Sequence, residues 1–87
     1  MNRPLSELVL RASVLARVSS ELRASCIEIA RECAPSSAFD LARQAASIAG
    51  LGQLEALGVA KATRWLAMIR RDYGLGSFQE AVRTLTA

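Results

Sequence analysis

Residues 5–33 read LSELVLRASVLARVSSELRASCIEIAREC, and this stretch decides the fold class. Leu8, Leu15, Leu22 and Ile29 recur every seven residues, while Leu5, Ala12, Ser19, Cys26 and Cys33 form a companion row. The two rows are offset by the alternating three and four spacing of a helical seam. One row is large and branched and the other is small, which suits close contact with an antiparallel helix. Glu7 with Arg11 and Arg17 with Glu21 stand four apart with opposite charge, the spacing that brings helical side chains together. No Gly or Pro interrupts the run, so the pattern predicts a helix over 5–33. Twenty-nine helical residues span about 44 Å, longer than a compact 87-residue globule is wide. Either the Ser19-Ser20 pair marks a bend or break, or the helix projects and offers its seam to a partner.

Downstream, Ala34-Pro35-Ser36-Ser37 ends that segment, and Ser37 with Asp40 fits a box-like helix start with Asp in place of Glu. Ala38, Leu41, Ala42, Ala45, Ile48 and Ala49 make a helical stripe that Gly50-Leu51-Gly52 closes through a glycine cap. A third helix is expected over about 53–73. Gly58 is its weak point and offers a division at that position, since Gly costs about 1 kcal/mol relative to Ala inside a helix. Gly74-Leu75-Gly76 ends it, and Ser77 opens a short last helix through Leu85. Strict two-residue alternation is absent throughout, so no strands are expected. The reading is a single all-α domain over 1–87: a small bundle of about four helices, with a long first helix and a C-terminal hairpin.

Composition sets the energetic scale. Apolar residues are 52% of the chain, but sixteen of them are Ala, whose side chain buries too little surface to match a Leu or Phe. A chain this short is a marginal monomer, which favours a partner or self-association. Eleven cations against eight carboxylates give a net charge of +3. That excess is modest and clusters only at Arg70-Arg71, so it describes a mixed-charge surface. Arg or Glu interrupts every hydrophobic stretch, and the first residues lack an apolar signal core, so neither a membrane span nor a secretory leader is expected.

The catalytic inventory is thin. His is absent, which removes the commonest proton shuttle and metal ligand. Cys26 and Cys33 are the only thiols. On a continuous helix their Cα atoms stand about 10.5 Å apart, beyond the reach of a disulfide. They read as small buried residues in a reducing, cytoplasmic setting. Gly50-Leu51-Gly52 and Gly74-Leu75-Gly76 follow helices, not strands, and are terminators rather than nucleotide loops. No carboxylate pair is poised for acid–base work. No enzymatic activity, metal, cofactor or small-molecule substrate is expected.

Two C-terminal patterns carry resemblances. Trp65, Met68, Tyr73, Gly76, Phe78, Glu80, Ala81 and Leu85 place an aromatic, a large apolar residue, a closing aromatic and a Gly-x-aromatic-x-Glu-Ala turn in order. Residues 62–85 thereby resemble one tetratricopeptide-type helical hairpin, with Ile69 and Asp72 departing from the usual small and Tyr positions. The resemblance implies a protein-binding scaffold, and in size the chain is similar to small helical chaperones of type III secretion. The competing run, Leu54 to Leu66 with Leu57-Gly58-Val59 at its centre, resembles a helix-turn-helix in which Gly58 makes the turn. That resemblance implies DNA contact through Lys61, Arg64, Arg70 and Arg71. The favoured expectation is a non-catalytic protein-interaction module that binds a partner helix or self-associates through Leu8, Leu15, Leu22, Ile29, Trp65 and Phe78. A small DNA-binding regulator is the alternative.

Overall fold

The computed structural model describes residues 3–87, and over these the fold is all-α. Five α-helices follow in order: α1 (Leu5–Ala12), α2 (Ser20–Glu32), α3 (Pro35–Ile48), α4 (Gln53–Tyr73) and α5 (Leu75–Thr86). A 3₁₀ segment, Ser13–Arg17, lies between α1 and α2. The helix count therefore exceeds the expected four by one, because the N-terminal stretch divides.

The continuous helix over 5–33 is not formed. After Ala12 the chain tightens into the 3₁₀ segment, Val18 becomes extended, and Ser19 caps α2 by accepting from the Leu22 amide at 3.2 Å. The break frees backbone carbonyls, and Arg23 satisfies two of them. Its Nε donates to Leu15 O at 3.0 Å and its second guanidinium nitrogen donates to Val18 O at 3.2 Å. Packing supplies the driving force. A straight helix of about 44 Å would overrun a molecule whose longest dimension is 34 Å. Broken at Ser19, both halves lie against α4, and Leu8, Leu15 and Leu22 are all buried in one core. The Glu7–Arg11 pair forms at 3.1 Å within α1. Arg17 and Glu21 fall on opposite sides of the break, and Glu21 instead accepts from the Ser20 hydroxyl at 2.7 Å.

Helix α4 is the axis of the molecule and touches every other element. Ala56, Val59, Ala60, Ala62, Leu66, Ala67 and Ile69 are buried along it. It runs unbroken through Gly58, so the division considered at that residue does not occur. Ala38, Ala42 and Ala46 on α3 are fully enclosed. Spaced by four, they form a ridge low enough for α3 to pack closely on α4. Alanine thus contributes here by admitting a neighbour's backbone rather than by its own small burial.

The helix ends follow their glycines and proline. At the end of α3, Gly50 adopts φ +93°, its amide donates to Ser47 O, and the Leu51 amide donates to Ala46 O, both at 3.0 Å. This is the paired Schellman pattern that terminates a helix. Gly74, also at φ +93°, is the single residue between α4 and α5. The expected starts at Ser37 and Ser77 are both displaced. Helix α3 begins at Pro35, whose fixed φ and missing amide suit a first helical position. Helix α5 begins at Leu75, directly after Gly74.

Cys26 and Cys33 are free thiols, the first buried and the second half-buried. Burial pushes the Cys26 thiol above its ordinary pKa, with the Thr63 hydroxyl acting in the opposite direction. The unfolded thiol therefore ionises first, near ~8.5. Stability from the neutral thiol is complete below that pH and is lost as pH rises through it towards the folded value. Thermal melts should show this alkaline loss, and Cys26→Ala should flatten part of it. An unchanged slope in the variant would assign the loss to other groups.

Candidate functional site

The seam residues expected to bind a partner are taken up by the chain itself. Leu8, Leu15, Leu22 and Phe78 are buried within the core, and Ile29 is half-buried against it. Of the six apolar candidates, Trp65 alone lines an open surface groove among those described. Docking through a continuous helix-1 seam is therefore corrected: no such exposed seam exists in this fold.

The four basic candidates separate in the same way. Arg70 is half-buried and reaches across to α2, donating to Ala30 O at 3.0 Å and Cys33 O at 2.9 Å. Those carbonyls end α2, where backbone acceptors lack helical partners and a cation is favoured. Arg70 thus clasps the end of α2 to α4. Arg71 is exposed and chelates Asp72, whose carboxyl it holds below the usual range. Lys61 remains exposed, and Arg64 lies between the rings of Phe39 and Trp65, 5.4 and 5.3 Å from their centroids. With Gly58 inside a continuous helix, the turn required by the helix-turn-helix resemblance is absent.

Among the described residues, two grooves stand open. The first, of about 600 Å³, lies at the α3–α4 turn and is lined by Leu51, Leu54, Ala56 and Leu57 together with Arg43, Gln44, Ser47 and Gln53. Leu54 is 85% exposed, and Ile48, beside Ser47 at the end of α3, is 87% exposed. Ile48 belongs to the expected α3 stripe, of which Ala38 and Ala42 are enclosed while Leu41 and Ala49 are exposed like Ile48; Ala46 was not part of that stripe. Ile48 lies outside because the ridge facing α4 is Ala38-Ala42-Ala46.

The second groove, of about 520 Å³, runs between α1 with its 3₁₀ extension and α4. Leu10, Val14, Ala62 and Trp65 give it an apolar lining, and Arg11, Arg17 and Lys61 give it positive charge. Trp65 is surrounded by guanidiniums: Arg3, Arg11 and Arg64 stand 5.2, 5.3 and 5.3 Å from its ring centroid. Such contacts are favourable through the ring's negative face. Glu7 bridges Arg11 and Arg3, and the Arg11 hydrogen bond, with help from Arg3, holds its carboxyl below the usual range.

Among the described residues, no group of three or more His, Cys, Asp or Glu side chains could hold a metal ion. No helix among them is long and apolar enough to cross a membrane. No protein-family model, curated protein or solved structure matches the chain.

Proposed function

We propose that the chain is a non-catalytic protein-interaction module whose docking surface is the apolar groove at the α3–α4 turn. The observation that carries this reading is the exposure of Ile48 and Leu54, at 87% and 85%, on a fold whose other large apolar residues mostly find cover. Leu54 lines the groove and Ile48 follows the lining residue Ser47 directly in sequence, so the two nearly bare aliphatic side chains flank one turn. Exposed apolar surface of this kind marks interaction sites when it is contiguous. Arg43 is the one charged side chain among those described that line the groove. A largely neutral lining suits the apolar stripe of a partner helix, set into the groove by residues spaced three and four apart.

The tetratricopeptide-like reading of residues 62–85 belongs to the same proposal. It is supported by the enclosed Phe78 and Ala81 and by a helix-to-helix turn at Gly74, two residues before the expected Gly76, which lies inside α5. Two free thiols fit a reducing, cytoplasmic setting for the module.

A photoreactive amino acid placed at Leu54 should give a discrete adduct in cells expressing the chain. The same group at Ala24, exposed on α2, should give none. Ile48→Glu should abolish the adduct at position 54 while leaving the helical melt unchanged, because Ile48 contributes almost no burial. Adducts of equal yield at both positions, or none at Leu54, would remove this groove from the interface.

A further inference from the structure

We infer that the groove between α1 and α4 is a second, separate binding site, built for an acidic amphipathic helix of a partner protein. The argument begins with charge. Arg11, Arg17 and Lys61 line the groove, Arg3 and Arg64 stack on its Trp65 wall, and Glu7 is the one carboxylate in the set. The three lining cations and one lining anion give +2 of the +3 for the whole chain, and Arg3 and Arg64 add two cations against the Trp65 ring. Most of the chain's positive excess therefore lines this groove. Arg17, Lys61 and Arg64 have no carboxylate within ion-pairing distance among the described residues.

The apolar lining selects among anionic partners. Leu10 is 71% exposed at the groove, and it lies beside Val14, Ala62 and the indole of Trp65. A nucleic-acid backbone has nothing to place against Leu10. An amphipathic helix with carboxylates flanking a leucine stripe satisfies both the charges and the apolar surface.

Gly58 supplies an independent observation. It sits in the interior of α4, where glycine costs about 1 kcal/mol relative to alanine. A Cβ built there meets no atom within 4 Å, so internal packing does not require its absence. The space lies in the groove lining. The chain accepts a weaker helix at the point where a side chain would enter that groove.

Trp65 is the only tryptophan, so its fluorescence reports directly on the site. The probe is a synthetic helical peptide of roughly 16 residues, near the length at which helices become stable alone. It carries leucines at helical spacing flanked by glutamates, and a glutamine-for-glutamate version serves as its control. Titration with the acidic peptide should shift Trp65 emission saturably, and added salt should weaken the effect. The glutamine peptide should bind about tenfold or more weakly, as expected when charge complementarity is lost. Arg17→Glu combined with Lys61→Glu should weaken binding by a similar factor. Reversing Arg83, which lines neither groove, should leave it within about twofold, the scale of a non-local charge effect.

Gly58→Leu separates binding from folding. It should raise the melting temperature through helix propensity while reducing affinity for the peptide. The inference fails if Trp65 does not respond, if the two peptides bind equally, or if a DNA duplex binds more tightly than the acidic peptide. It also fails if the chain self-associates through Arg17 and Lys61, which would make a second copy the occupant. Ile48→Glu leaves this titration unchanged, so the outcome is read separately from that of the α3–α4 groove.

Discussion

Phe78→Ala is expected to lose about 3–5 kcal/mol of folding stability, the range for deleting an enclosed aromatic side chain. Phe78 is the largest fully buried residue and has 0% exposure. With Ala81 and Leu85 it forms the face by which α5 docks, and the Arg31 guanidinium lies 5.5 Å from its ring centroid. A chain of this length has a total stability of about 4–13 kcal/mol at ordinary per-residue values. The loss is thus a large fraction of the whole, and the melting temperature should fall by at least about 12 °C. Phe78→Leu should cost less, because most of the buried volume stays filled. A change below about 1 kcal/mol in Phe78→Ala, typical of sites without a packing role, would mean that α5 is not held to the core through this ring. The prediction also reassigns Phe78: any loss of partner binding in the variant would follow from lost fold.

Arg70→Met is expected to cost about 2–3 kcal/mol, the scale of charge-assisted hydrogen bonds removed from partly buried acceptors. Methionine keeps much of the aliphatic stem and removes both donors. Ala30 O and Cys33 O would then lose the guanidinium that joins the end of α2 to α4 across 40 and 37 residues of sequence. Arg70→Lys should recover only part of the loss, since an ammonium cannot reproduce the planar fork that reaches two carbonyls at once. Chemical denaturation of the three proteins decides the point. A loss within about 0.5 kcal/mol for Arg70→Met, the usual surface range, would return Arg70 to the pool of cations free to meet a ligand.

These two residues show where sequence and structure part. Both were picked out as contact residues for a partner, Phe78 for a protein and Arg70 for nucleic acid. Aromatic and guanidinium side chains serve either internal packing or recognition, and the deciding factor is what stands opposite them. For Phe78 that is the shared core, with the Arg31 guanidinium over its ring, and for Arg70 it is the end of a helix nearly forty residues earlier. Neither neighbour can be located by local spacing.

The sequence by itself determined the all-α class, the stop at Gly50, the start of α4 near Gln53 and its end before Gly74. These depend on periodicity and on backbone conformations that glycine and proline impose locally. It also contained the alternative that proved correct at Ser19-Ser20, because a serine pair can cap a new helix as readily as interrupt an old one. Only the tertiary structure decided between them. Folding the stretch back buried Leu8, Leu15 and Leu22 against α4, and Arg23 satisfied the carbonyls that the break exposed. The surface was likewise decided in three dimensions. A net charge of +3 looked dispersed along the chain, yet the fold gathers Arg3, Arg11 and Arg64 around one indole and sets Arg17 and Lys61 in the groove that indole lines. Those residues come from helices separated by some fifty positions, and only the docking of α1 onto α4 brings their charges within range of one another.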